Sequence, residues 1–176
     1  MIDKNIAKLI RTIKECNKHK TRILYVMSKM RQFMPLTAEK YGKFAENEIE
    51  IIDLFIFRFI KLQDTIGARL FKQILEANDV DTDTLSNIDI LNNIEKYEII
   101  GDKDEWIELR EIRNFFTHEY PDENVDLLIN QLNTAFDKTE KLFSIYNNGA
   151  DYAINRILKP LNINTSDLTI GQISKT

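Results

Sequence analysis

The sequence has little of what breaks helices or cross-links chains: 5 glycines, 3 prolines and 1 cysteine in 176 residues. Few helix breakers favour long helices. The lone Cys16 excludes an internal disulfide and fits a reducing compartment. The N-terminus has no apolar run of the signal-peptide type, and the longest apolar stretch, 49–60, includes charged residues and is too short to span a bilayer. We therefore expect a cytoplasmic protein with no membrane segment.

The common signatures of cofactor and metal sites are also missing. The chain has no glycine-rich phosphate loop, no cysteine–histidine spacing of a zinc site and no nucleophilic triad, so we predict no metal and no cofactor. Acidic residues outnumber basic ones by 28 to 24. Because proteins that coat nucleic acid nonspecifically are usually basic, any contact with RNA should be local.

Apolar residues recur at helical spacing along the chain, and no segment alternates at period two, which predicts an all-α fold. We expect an N-terminal helical extension (1–36) packed on an antiparallel helical bundle (37–158), followed by a poorly ordered tail (159–176). The expected helices cover about 3–34, 38–77, 87–100, 103–117 and 123–146, with the last resuming over 150–158.

Local residue types mark several of the expected boundaries. Thr37 and Ser86 are predicted N-caps, and Gly101 is predicted to close the helix that Ser86 begins. Gly67 argues against one unbroken helix between residues 38 and 77.

Two of the predicted helices are apolar on more than one side. Apolar residues between Ile49 and Leu62 surround nearly the whole helix, which indicates a central helix that its own chain, or its own chain and a partner, would bury. On the helix over 103–117, Ile107 and Phe115 lie opposite the main apolar face, so a second copy of the chain could cover them. That main face comprises Trp106, Leu109, Ile112 and Phe116.

The segment 113–120 carries the most informative residues: Arg113, Asn114, His118 and Tyr120. An Arg, a His five residues later and a Tyr two residues after that are expected together only roughly 0.003 times per chain of this composition. Metal-free RNA cleavage needs a base for the 2′-hydroxyl proton, an acid for the leaving oxygen and a cation for the phosphorane. Imidazole exchanges protons near neutral pH, and guanidinium binds phosphate in a bidentate manner.

Helical geometry limits how these groups can meet. Arg113 and His118 are about 140° apart on an ideal helix, whereas Asn114 and His118 are four residues apart and share a side. Either the helix breaks near Thr117, or the groups meet across a two-fold interface. A two-fold dimer would supply two copies of each group to one cleft.

The spacing of Arg113, His118 and Tyr120 resembles the R-x4-H-x-Y motif of the HEPN superfamily, and most of all its HepT-like toxins. The stretches 58–64 and 106–114 are also similar to bacterial members, and the resemblance covers about residues 45 to 145. It implies a helical bundle that dimerises with both motifs facing a shared cleft. It further implies a metal-independent ribonuclease that cuts RNA, tRNA in some members. A small nucleotidyltransferase antitoxin (MntA-like) would neutralise this ribonuclease by attaching AMP to the motif tyrosine.

Carried onto this sequence, the resemblance makes Arg113 and His118 catalytic. Asn114 would orient the histidine or bind phosphate, and Tyr120 would be the residue that receives AMP. Arg58 and Asp64, from the similar stretch 58–64, become candidate supporting residues. The resemblance equally admits a noncatalytic HEPN partner of a separate nucleotidyltransferase, in which the cleft at Arg113 holds a nucleotide.

Each candidate also has a structural interpretation, and a purely structural helical adaptor would make the motif a coincidence. His118 could satisfy carbonyls at a helix end, and Tyr120 could be a core or cap residue. Arg113 could pair with Glu105, Glu108 or another acid. For Arg58 we favour an ion pair with an acid such as Asp53 or Glu111, and we expect His19, between two lysines, to be a solvated surface residue.

Overall fold

The computed structural model describes residues 3–118 and 124–168, and the regular structure in those ranges is helical, which confirms the all-α prediction. No helix in the same ranges is both long and apolar enough to cross a membrane. The α-helices are α1 (Lys4–Met30), α2 (Ala38–Tyr41), α3 (Glu46–Thr65), α4 (Phe71–Glu76), α5 (Asn87–Lys96), α6 (Lys103–His118) and α7 (Val125–Tyr152), with π-helical segments at Ile66–Leu70 and Ala153–Leu158 and a 3-10 turn at Thr82–Thr84.

The two predicted N-caps are confirmed. The Thr37 hydroxyl accepts a hydrogen bond from the backbone N–H of Lys40 at the start of α2, and Ser86 forms a capping box with Asp89 at the start of α5. The predicted end of α5 is wrong, because the helix stops at Lys96 rather than before Gly101. Glu98 takes a left-handed conformation (φ 57°) that ends the helical path.

Two glycines lie in the long helical segments, one where the α-helix is interrupted and one where it continues. Gly67 lies in the π-helical turn that separates α3 from α4, so the predicted interruption of the segment 38–77 is confirmed there. The predicted break at Asn147–Gly149 is wrong, since α7 runs through it to Tyr152. A Cβ at Gly149 would lie 3.3 Å from Leu70 Cδ2, so this glycine serves close packing rather than a turn.

The chain divides into two compact units that draw on segments far apart in sequence. Unit 1 comprises the described residues of 1–18, 65–103 and 144–176, and unit 2 those of 19–64 and 104–143. The division we predicted at residues 36 and 158 stays a prediction. Within unit 1, Lys14 pairs with Asp167 at 2.5 Å and Leu168 is buried.

Unit 1 buries neutral polar groups among its apolar side chains. Tyr146 is almost fully buried, and its hydroxyl donates to Asn17 Oδ1 and lies 3.1 Å from the carbonyl oxygen of Ile13. Desolvation raises the pKa of Tyr146 well above its ordinary value. Burial, with a smaller contribution from the charge of Glu15, raises the pKa of the Cys16 thiol to about 12.

Unit 2 is organised around one face of α3. Phe55 and Phe59 are fully buried, and the Phe55 ring lies 6.1 Å from that of Phe136 on α7. Each such buried side chain contributes on the order of 1.5–3 kcal/mol to folding. The chain by itself leaves one side of α3 open, where Phe57 is 48% exposed, and the predicted cover of α3 by a partner stays a prediction.

Candidate functional site

Helix α6 positions the motif by burying one apolar face. The four residues predicted for that face, Trp106, Leu109, Ile112 and Phe116, are all buried. Fixing this face leaves Arg113 and Asn114 half-buried and His118 exposed. Tyr120, the predicted site of AMP attachment, lies outside the described residues.

Arg113 is held by a bidentate ion pair with Asp64 of α3. Its Nε lies 2.7 Å from Oδ1 and its Nη2 lies 3.2 Å from Oδ2. The pair is partly shielded from solvent, since the two side chains are 25% and 36% exposed. The acids first considered, Glu105 and Glu108, instead pair with Lys141 and Lys138 on α7. Spacing along the sequence could not identify Asp64 as the partner, because the two residues are 49 positions apart.

The contacts of Arg113 leave part of its hydrogen-bonding capacity available. Besides the two bonds to Asp64, its Nη1 donates to Asn114 Oδ1 at 3.1 Å. A guanidinium has about five N–H donors, so the described residues leave one N–H on Nη1 and one on Nη2. These two donors, on a cation fixed in orientation, suit the oxygens of a phosphate.

His118 is the last residue of α6, and its side chain is exposed. The helix ends one residue beyond the predicted position, so it includes both Arg113 and His118, and the Thr117 hydroxyl donates to the carbonyl oxygen of Arg113 at 2.9 Å. The ideal-helix separation of about 140° between Arg113 and His118 therefore applies. Among residues 3–118 and 124–168, no hydrogen bond joins the two side chains, and Asn114 contacts the arginine.

Phe115 corrects an expectation about the second side of α6. Its side chain is only 6% exposed within the single chain, and Ile107 is half-buried. Phe115 therefore needs no second copy to cover it, and the apolar patch no longer argues for a dimer.

The second histidine is not where we expected it. His19 is buried, not solvated, and its Nδ1 accepts a hydrogen bond from Nη1 of Arg58 at 3.3 Å. The expected ion pair of Arg58 with Asp53 or Glu111 is wrong, because the buried imidazole takes that place. In the sequence, His19 lies four residues before the fully buried Ile23, a helical spacing that could have indicated its burial.

In the part of the chain that the structure describes, no cluster of three or more His, Cys, Asp or Glu side chains is arranged to hold a metal ion. The polar contacts that involve the candidate residues in unit 2 are those of Arg113 with Asp64 and Asn114 and that of Arg58 with His19. No protein-family model, curated protein or solved structure matches this chain. The function is therefore argued from the geometry and from the sequence motif.

Proposed function

We propose that this chain is a HEPN-type toxin of a toxin–antitoxin pair, a metal-independent endoribonuclease that acts as a homodimer through Arg113 and His118. One observation carries the proposal. A guanidinium fixed by Asp64 and Asn114 retains two N–H donors, five residues before an exposed imidazole. Side chains alone can then bind a phosphodiester and move its protons.

In the proposed reaction, the imidazole of His118 takes the proton from a ribose 2′-hydroxyl. The 2′-oxygen attacks the adjacent phosphorus, and the negative charge of the resulting phosphorane is bound by the N–H donors of Arg113. A second imidazole protonates the departing 5′-oxygen as the P–O bond breaks. The products are a 2′,3′-cyclic phosphate and a 5′-hydroxyl end.

Two copies of the chain are required by this scheme. One copy supplies one motif histidine, and on a continuous α6 that histidine diverges from Arg113 by about 140°. A two-fold dimer places a guanidinium of one copy beside an imidazole of the other and supplies the second proton-transfer group. Asn114, which accepts from Arg113, would then help to orient the guanidinium.

The proposed antitoxin is a small nucleotidyltransferase that attaches AMP to Tyr120. The adduct would place a negatively charged phosphate two residues from His118. It would repel the RNA phosphate from the cleft and block cleavage.

The test is RNA cleavage by the purified full-length chain in excess chelator. His118→Ala removes both imidazoles of the dimer and Arg113→Ala both guanidiniums, so each should lower the cleavage rate by at least about 10²–10⁴, the range expected for one proton-transfer or charge-stabilising group. Arg110→Ala is the matched control, because Arg110 is an exposed arginine on the same helix and its loss should leave the rate unchanged. Undiminished cleavage by His118→Ala would end the assignment. Nucleotide binding without RNA cleavage by the wild type would select the noncatalytic partner instead.

A second arm of the same experiment addresses the dimer. The two variants, mixed and refolded together, should cleave faster than either variant alone, because a mixed dimer places an intact guanidinium beside an intact imidazole. The rate should stay far below that of the wild type, because the mixed dimer lacks the second imidazole that protonates the leaving oxygen. An active site contained within one copy would give no recovery at all.

A further inference from the structure

Phe57 is an unusually placed aromatic residue on α3. Its side chain is 48% exposed, although it lies in the most apolar stretch of the sequence. Two cations approach its ring: Arg58 Cζ lies 5.3 Å and Lys61 Nζ 5.7 Å from the centroid. Nearly half of the side chain still faces solvent, so the cations flank the ring without covering it.

The Arg58 guanidinium is fixed from the interior of unit 2. Its Nη1 donates to the buried His19 at 3.3 Å, while its Cζ lies against the Phe57 ring. The Nε of Arg58 is buried and has no hydrogen-bond partner among the described residues. Leaving a buried donor unpartnered is unfavourable, so the arginine at this position calls for an explanation beyond packing.

The aromatic ring lies on the same side of α3 as the residue that holds Arg113. Phe57, Lys61 and Asp64 are spaced i, i+4 and i+7, which places them in one stripe along the helix. The rise from Phe57 to Asp64 is about 10 Å. Asp64 then binds Arg113 directly, so the stripe links the exposed ring to the guanidinium of the proposed cleavage site.

We propose that Phe57, flanked by Arg58 and Lys61, is a stacking platform for one unpaired base of the RNA substrate. This inference rests on the proposed function, because it takes RNA as the ligand. An aromatic face stacks on any base, and neighbouring cations bind the flanking phosphates. It also explains how a chain of net charge −4 binds RNA, since the attraction is local.

The charges at the ring favour RNA over a second copy of the chain as the occupant. A protein surface that covered Phe57 would remove the Arg58 guanidinium from water, which is costly because its hydrogen bond in the structure goes to an imidazole and not to an acid. Nucleic acid supplies phosphates at regular spacing, together with the flat apolar surface that the ring requires. The platform would bind RNA weakly by itself and mainly position the strand near Arg113.

The experiment measures binding of a fluorescein-labelled oligouridylate by anisotropy, in chelator, using the full-length protein with His118→Ala so that the RNA stays intact. Adding Phe57→Ala should weaken Kd about 5- to 150-fold, which corresponds to about 1–3 kcal/mol of lost stacking. Phe57→Trp should retain binding and show quenched indole emission when RNA is added. Lys61→Gln should lower the slope of log Kd against log salt by about 0.7.

Tyr25→Ala is the matched control. Tyr25 is 57% exposed on α1, and Lys29, four residues later, places its Nζ 5.6 Å from the ring, as Lys61 does for Phe57, but no arginine flanks it. The control should leave Kd unchanged. Equal losses for Tyr25→Ala and Phe57→Ala, or no loss for Phe57→Ala, would overturn the proposal. So would a shift from dimer to monomer in sedimentation, because Phe57 would then be an interface residue.

The outcomes separate this inference from the nuclease proposal. Cleavage by the wild type combined with unchanged RNA binding by Phe57→Ala would refute the platform alone. Phe57-dependent binding of RNA that the wild type never cuts would refute the nuclease and leave the platform standing.

Discussion

The two compact units differ in the ionisable groups that they bury or shield. Unit 1 buries Cys16 and Tyr146 in their neutral forms, and its Arg69–Glu15 pair is about 44% exposed. Unit 2 contains both histidines of the chain and shields the Arg113–Asp64 pair further, to 25% and 36% exposed. It also keeps Arg58 against a buried imidazole.

This contrast separates groups that only maintain the fold from groups that are able to react. A nucleophile or acid held neutral by burial neither attacks nor exchanges protons at ordinary pH. A cation fixed by a carboxylate and still partly exposed retains both its charge and its donors. The chemistry of this chain is therefore expected in unit 2.

The strongest test of the contrast concerns Cys16 in unit 1. Its pKa is raised from 9.0 to about 12, so at pH 8 its thiolate fraction should be about 10³ lower than that of an ordinary thiol. Alkylation by iodoacetamide should be slower in the native chain than in the urea-denatured chain by at least that factor. Mass spectrometry of timed, quenched samples measures both rates.

The raised pKa of Cys16 also determines the direction in which the stability of the fold changes with pH. Because the folded-state pKa is raised, the stability that comes from the neutral thiol is present below pH 9 and is lost as pH rises towards 12. Cys16→Ala should remove this part of the alkaline destabilisation. Rapid alkylation of the native thiol would show that unit 1 is open at Cys16, and the contrast between the units would fail.

The sequence predicted the features that depend on local chemistry. The all-α fold follows from apolar periodicity, the caps at Thr37 and Ser86 from hydroxyls that accept backbone N–H bonds, and the buried face of α6 from its angular pattern. The half-buried Arg113 and exposed His118 lie where that pattern places them.

The features that the sequence did not predict depend on contacts between distant segments. Nothing local distinguishes Asp64 from other acids as the partner of Arg113, or identifies Arg58 as the partner of His19. The sequence indicates that Gly149 breaks a helix, whereas in the structure its close contact with Leu70 gives it a packing role. Tertiary contacts decide each of these cases, and residue spacing does not encode them.

Removing the charge of Asp64, in unit 2, should have a smaller effect than the change in alkylation rate expected at Cys16. Asp64→Asn retains the shape but replaces one acceptor with an NH₂ group facing Nη2 of Arg113, so the bidentate pair is lost. We expect RNA cleavage in chelator to fall about 10- to 100-fold, because a misplaced guanidinium stabilises the phosphorane less. The loss should lie mainly in kcat, with KM little changed, since Asp64 acts by positioning Arg113.

Stability separates this positioning role from a structural one. The pair is partly exposed, so Asp64→Asn should lower the free energy of unfolding by about 1 kcal/mol or less, and urea titration measures that change. Asp64→Glu should restore part of kcat, because a longer carboxylate still binds the guanidinium. Glu50→Gln, which neutralises an exposed acid on the same helix, controls for the change in net charge. Unfolding of the chain by Asp64→Asn, or an equal loss of kcat in Glu50→Gln, would mean that the Arg113–Asp64 pair is only a structural ion pair, like those of unit 1. The contrast between the units would then not indicate where the chemistry takes place.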